Sequence, residues 1–167
     1  LTDSATATVV INPQRIMPLG DSITQGKHAN GLPPDGERIG FRKKLVEDLA
    51  AGGYDVDFVG TLQNGIDAGL VDQQHQGNPG DDTSDIISGI DGWLDSTPPD
   101  VILLHIGTND FTSGGAVPTS GDVASILDEI DAWELANHSV TVVVAKIIDR
   151  DDPFQSGTQF NTVTDFN

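Results

Sequence analysis

An α/β fold built on a parallel sheet is what this sequence predicts, and three observations carry the prediction. Short apolar runs alternate along the chain with segments whose apolar residues recur at helical spacing. One run, Val101–Ile106, is apolar at nearly every position, as expected of a strand buried on both faces. The length of 167 residues, with 37% hydrophobic and 20% charged content, suits one domain with a sizeable core and leaves little room for a second.

The elements follow in order. Residues 1–12, LTDSATATVVIN, alternate Thr/Ser with Ala/Val before Asn12-Pro13. They read as an extended arm or the last strand of a preceding domain, with a linker remnant preferred, so residues 1–13 are set apart from a domain spanning 14–167. Arg15–Leu19 is a short strand that runs into Gly20-Asp21-Ser22. Ile39–Ala51 places Phe41, Leu45, Val46 and Leu49 on one helical face and stops at Gly52-Gly53. Asp55–Val59 is a second strand. Thr83–Leu94 sets Ile86, Ile87, Ile90, Trp93 and Leu94 at helical spacing. Val101–Ile106 follows Pro98-Pro99. Val123, Ile126, Leu127, Ile130 and Trp133 mark another helix, with Thr119 or Ser120 as candidate N-caps. Ser139–Ile148, SVTVVVAKII, is the most hydrophobic strand.

Composition narrows the partners. There are 26 acidic against 8 basic residues, a formal charge of −18. Nucleic acid and anionic membrane surfaces attract basic proteins, so neither is expected as a partner. No apolar stretch approaches the roughly 20 residues of a membrane span. Cysteine is absent, which removes disulfides and thiolate chemistry. The chain opens at Leu1 rather than Met, and the expectation is of a processed chain or one cut from a longer protein. Asp81-Asp82-Asp85 and Asp149–Asp152 could attract a metal, but acidic surface without that role is preferred. No metal or cofactor is expected.

In parallel α/β sheets ligands sit outside the carboxyl ends of the strands. Three loops fall there, after Leu19, after Val59 and after Ile106. Gly20-Asp21-Ser22 is either an ordinary surface turn or the turn that presents a nucleophilic serine. In the second loop, HQGNPGDDTSD over His75–Asp85, Gly80 precedes an expected helix. A glycine there serves a simple helix entry or a close backbone approach to a ligand. The third loop is Gly107-Thr108-Asn109-Asp110. Its Asn is either an Asx turn or an amide donor to a developing oxyanion, a role worth about 3 kcal/mol.

Taken together, the order, context and spacing of these loops resemble the SGNH (GDSL-type) hydrolases, a family of serine esterases. GDSIT at 20–24 matches the first block, PGDDTSDI at 79–86 the second and HIGTND at 105–110 the third. With IGFRKKL at 39–45 and DFVGT at 57–61, the chain is most similar to carbohydrate esterases of the acetylxylan-esterase kind, family 3, over about residues 14–148. The resemblance implies a flavodoxin-like three-layer sandwich with strand order 2-1-3-4-5. It also implies acyl transfer from a small acyl ester or acetylated carbohydrate. Ser22 would be the nucleophile, with an oxyanion hole from the N–H groups of Ser22 and Gly80 and the Asn109 amide; Asp21 and Asp110 would support. A secreted or extracellular location is expected.

The pattern breaks at the family's fourth element, a C-terminal Asp-x-x-His that supplies the base. The four histidines are His28, His75, His105 and His138, preceded three residues earlier by Gln25, Asp72, Ile102 and Leu135. Only Asp72–His75 fits formally, on the wrong side of the second block, which leaves His75 a weak surrogate. His105 reads as a satisfied core or supporting histidine. The expectation is a sheet truncated before its last strand and catalytic His loop. The alternatives to an active esterase are a weak or inactive carbohydrate-binding domain and a fragment needing a complementing segment. Losing the last strand would put Ser139–Ile148 on an edge, covered by residues 149–167, by Thr6–Ile11 or by another chain through self-association.

Overall fold

The computed structural model describes residues 12–28, 30–110 and 120–147. In chain order the elements are β1 (Gln14–Gly20), α1 (Ser22–Gln25), α2 (Arg42–Ala51), β2 (Val56–Phe58), β3 (Leu62–Gln63), β4 (Gln74–Gly77), α3 (Thr83–Ser96), β5 (Val101–His105), α4 (Ser120–Glu134) and β6 (Thr141–Val144). A 3-10 turn at Asp35–Glu37 interrupts the loop before α2.

The sheet is mostly parallel and flanked by helices. β1 pairs with β5 in parallel from Ile16↔Val101 to Gly20↔His105, and β5 with β6 from Val101↔Thr141 to Leu104↔Val144. The other edge of β1 is shared end to end. β2 takes its first half, Gln14↔Val56 to Ile16↔Phe58, and β4 its last two residues, Leu19↔Gln76 and Gly20↔Gly77. β3 closes that side antiparallel to β4. The long-range order is therefore β2–β1–β5–β6, the flavodoxin-like arrangement, and it reverses direction at β1.

The reversal sorts the helices, because right-handed crossovers put helices on opposite faces when the winding direction changes. α3 and α4 share one face, where Ile86, Ile90 and Leu94 meet Ile126, Ile130 and Trp133 over Met17, Leu19, Ile102 and Leu104. Trp133 Nε1 donates to Asp95 Oδ1 at 2.8 Å and fixes the crossing. α2 contributes nothing to that cluster.

Several boundaries differ from expectation for identifiable reasons. The helix expected at Ile39 starts at Arg42, because Gly40 has φ +51°; Phe41 precedes it and is exposed rather than on a buried face. The long apolar strand at 139–148 contracts to Thr141–Val144, which lies at the sheet edge among the described residues with Val143 and Val144 about half exposed (52% and 48%). Its expected covers, residues 149–167 and Thr6–Ile11, lie outside the described residues, as does Thr119; Ser120 is the first residue of α4. The expected second loop is partly strand, since β4 runs through His75.

Candidate active site

Ser22 stands at the top of the central strand. β1 ends at Gly20, and Asp21 caps α1 by accepting the Ile23 N–H at 2.8 Å, which makes Ser22 the first helical residue. A Cβ on Gly20 would lie 2.1 Å from the His105 carbonyl oxygen, so only glycine allows β1 and β5 to close here. Asp21 is fully buried. Burial pushes its carboxyl above the ordinary value, and the Ile23 N–H, then His105, act the other way.

The other two loops are tied to this point. Asn78 N–H donates to the Gly20 carbonyl at 2.9 Å, so the chain leaving β4 is fastened to the end of β1. Two residues on, Gly80 adopts φ +98° in an exposed turn, and a Cβ there would meet nothing within 4 Å. Asn109 Nδ2 donates to the Asp81 carbonyl at 2.8 Å, which brings the third loop against the second. Asp110 accepts from Thr83 N–H at 3.2 Å and from its Oγ1 at 2.5 Å, anchoring that loop on the start of α3. Ser22, Gly80 and Asn109 thus sit on loops knitted together at the carboxyl ends of β1, β4 and β5. Asp21 and Asp110 act as caps behind them.

The acidic run has a structural use. Asp82 N-caps α3 in a capping box with Asp85, and Asp81 Oδ2 accepts from Asn78 Nδ2 at 2.9 Å. Among the described residues no group of three or more His, Cys, Asp or Glu side chains could hold a metal ion. Asp149–Asp152 lies outside them.

The histidines divide clearly. His75 is fully buried; its Nδ1 accepts from Gly77 N–H at 2.9 Å, so Nε2 carries the proton and donates to Asn64 Oδ1 at 2.8 Å. Burial, with Arg42 adding to it, lowers its pKa to about 3. Neither nitrogen is left to take a proton from Ser22. His138 binds the Pro99 carbonyl at 2.9 Å, at the opposite end of β5. His28 is exposed in the loop after α1. His105 departs from the expected satisfied core histidine: it is 8% exposed, and neither ring nitrogen has a partner among the described residues. The Oδ2 of Asp21 and the Oγ1 of Thr24 are likewise buried and unpartnered.

Residues 16–148 match the family model described as GDSL-like Lipase/Acylhydrolase. The chain belongs to the GDSL-like lipase/acylhydrolase family. Among solved structures, this GDSL-like chain is similar to a Clostridium thermocellum family 3 carbohydrate esterase, with 31% identity and a TM-score of 0.72, over 91% of this chain and 69% of that one. A family 3 carbohydrate esterase from Talaromyces cellulolyticus is 28% identical with a TM-score of 0.61, over 80% and 62%. A multidomain esterase of Ruminococcus flavefaciens is 34% identical over 123 residues, 60% of this chain. The GDSL-like chain spans only 15% of that relative's length. It covers only part of the Clostridium structure's chain as well.

What sequence reasoning missed is the hydrogen bonding that joins the blocks. Asn78 lies one residue before Pro79 and showed no apolar or motif signal of its own. Thr83 reads only as a helix start.

Proposed function

We propose that this chain is a serine esterase that removes small acyl groups, acetyl from carbohydrate foremost. Ser22 Oγ attacks the ester carbonyl. The oxyanion, held by the N–H groups of Ser22 and Gly80 and by the Asn109 amide, collapses to break the ester C–O bond and expel the alcohol, which leaves with the serine's proton. Water then cleaves the acyl-enzyme, releasing the acid and restoring the Ser22 hydroxyl. The observation that carries the reading is the knitting of three loops at one sheet end, Gly20 to Asn78 and Asp81 to Asn109. The carbohydrate esterases it resembles support the substrate class. The reading includes a secreted location, no nucleic-acid or membrane partner, and association of copies through β6.

Turnover of p-nitrophenyl acetate, with mass spectrometry of the adduct left by a fluorophosphonate, tests it. Ser22→Ala should abolish both. Asn109→Ala should lower kcat by a factor of about 100 to 1000, or roughly 3 to 4 kcal/mol of barrier. Turnover that survives Ser22→Ala sinks the proposal. The disposition of the four histidines favours a second reading, a carbohydrate-binding domain of weak activity or one completed by another segment. Its signature is an adduct on Ser22 with negligible turnover, since oxyanion stabilisation outlasts loss of the base.

A further inference from the structure

Arg42 opens α2 with its side chain fully buried, an unfavourable place for a cation. A helix N-terminus repels positive charge, and burial strips the guanidinium of water. Burial lowers its pKa to about 10, opposed by nearby Asp72, so it remains charged at neutral pH. Its hydrogen bonds go to backbone carbonyls and not to a carboxylate. Nε donates to Thr24 O at 3.1 Å, Nη2 to Gln25 O at 3.1 Å and Arg38 O at 2.9 Å, and Nη1 to Gln73 O at 3.0 Å.

The identity of those carbonyls matters. Thr24 and Gln25 end α1, the single turn that Ser22 begins, and a helix end leaves such carbonyls unpaired. One turn of helix is unstable by itself and needs outside support. Gln73 leads into β4, which delivers Asn78 and Gly80. Arg38 in turn holds the adjoining loop through Pro33 O at 2.8 Å and Gly31 O at 3.0 Å. Close backbone contact makes the reach possible: a Cβ on Gly26 would lie 2.3 Å from Gly40 N, and one on Gly40 2.8 Å from Ile23 O.

We propose that Arg42 is a positioning residue for Ser22, a buried four-carbonyl clamp that fixes the nucleophile's helical turn against β4 and the loop at 31–38. The inference rests on the reading of Ser22 as nucleophile. Lysine keeps the charge but is a point donor that cannot span four carbonyls.

Arg42→Lys is therefore the central variant. Arg42→Met removes the charge. Gly40→Ala presses on the α1 carbonyls without touching the guanidinium. Leu94→Ala, in the α3 core, is a destabilised control away from the clamp. All are assayed where circular dichroism shows them folded. Arg42→Lys should lower kcat for p-nitrophenyl acetate and the fluorophosphonate labelling rate by about tenfold or more, with KM changed less than about threefold. The amides of Gly26 and Lys27, which bond to Ser22 O at 2.8 and 2.9 Å, should exchange at least about tenfold faster, while the Ile90 amide in α3 stays protected. Gly40→Ala should share that signature, and Leu94→Ala should lose stability without it. Wild-type exchange at Gly26 and Lys27 in folded Arg42→Lys overturns the clamp, as does a wild-type labelling rate. If wild-type protein does not label at Ser22, the nucleophile reading fails; the exchange measurement still decides whether Arg42 holds the turn.

Discussion

His75 is neutral in the fold for a local reason: both ring nitrogens are committed, one accepting from Gly77 and one donating to Asn64, in a fully buried place. An unfolded chain would titrate it near 6.5 and the folded one near 3, so the unfolded state binds more protons between those values. Stability due to His75 is thus complete above 6.5 and falls as the pH is lowered through the window, by about 2 kcal/mol at pH 5. The raised carboxyls of Asp21, Asp72 and Asp81 act in the opposite sense just above 3.8, where the folded state holds the proton more readily. Comparing urea unfolding of wild type and His75→Gln at pH 7 and 5 separates the two effects. The variant should lose about 2 kcal/mol less on acidification; equal losses would contradict this. At Gly20 the constraint is steric. Gly20→Ala would drive a methyl into the His105 carbonyl at φ +155°, and thermal unfolding should show a loss of more than about 2 kcal/mol.

At the scale of elements, α3 depends on its first turn. Asp82 accepts from Ser84 N at 2.9 Å and Asp85 N at 3.2 Å, so Asp82→Ala should cost about 1 kcal/mol in urea unfolding. An unchanged midpoint would mean that Asp110, which bonds Thr83, suffices alone. The elements that could be read from the sequence are those that bury apolar stripes: β1, β5, α3 and α4 all declare themselves by spacing. β4 does not, because Gln74-His75-Gln76-Gly77 is polar and is buried by hydrogen bonds, such as Thr61 N–H to Gln76 Oε1 at 3.0 Å. α1 is too short for periodicity. Arg42 enters the sequence only as part of the IGFRKKL block, and nothing in the spacing reveals the carbonyls that surround it. The candidate site was more legible than these elements. Its Gly, Ser and Asn positions occur in short blocks at strand ends, whereas the bonds from Gly20 to Asn78 and from Asp81 to Asn109 exist only after folding.

For the whole molecule, charge and edge oppose one another. A net charge of −18 makes the compact state and any pair of copies repel, while β6, paired with β5 on one side, leaves its other edge open among the described residues, with Val143 and Val144 half exposed. The Debye length falls to about 10 Å at 0.1 M salt. Added salt should therefore raise the melting temperature and promote association together. Sedimentation velocity across a salt series should show the association, and Val143→Lys should abolish it. A monomer at every salt and protein concentration would refute association through β6.

The parallel register of β5 with β6 also fixes what such a pair could be. Two copies joined edge to edge about a two-fold axis must run their β6 strands antiparallel. The carboxyl ends of the two sheets then face opposite ways, with Ser22 of each copy at opposite rims of one continuous sheet. In such a pair neither copy would screen or complete the rim that carries the other's Ser22. Turnover per chain should be the same in dilute and concentrated solution.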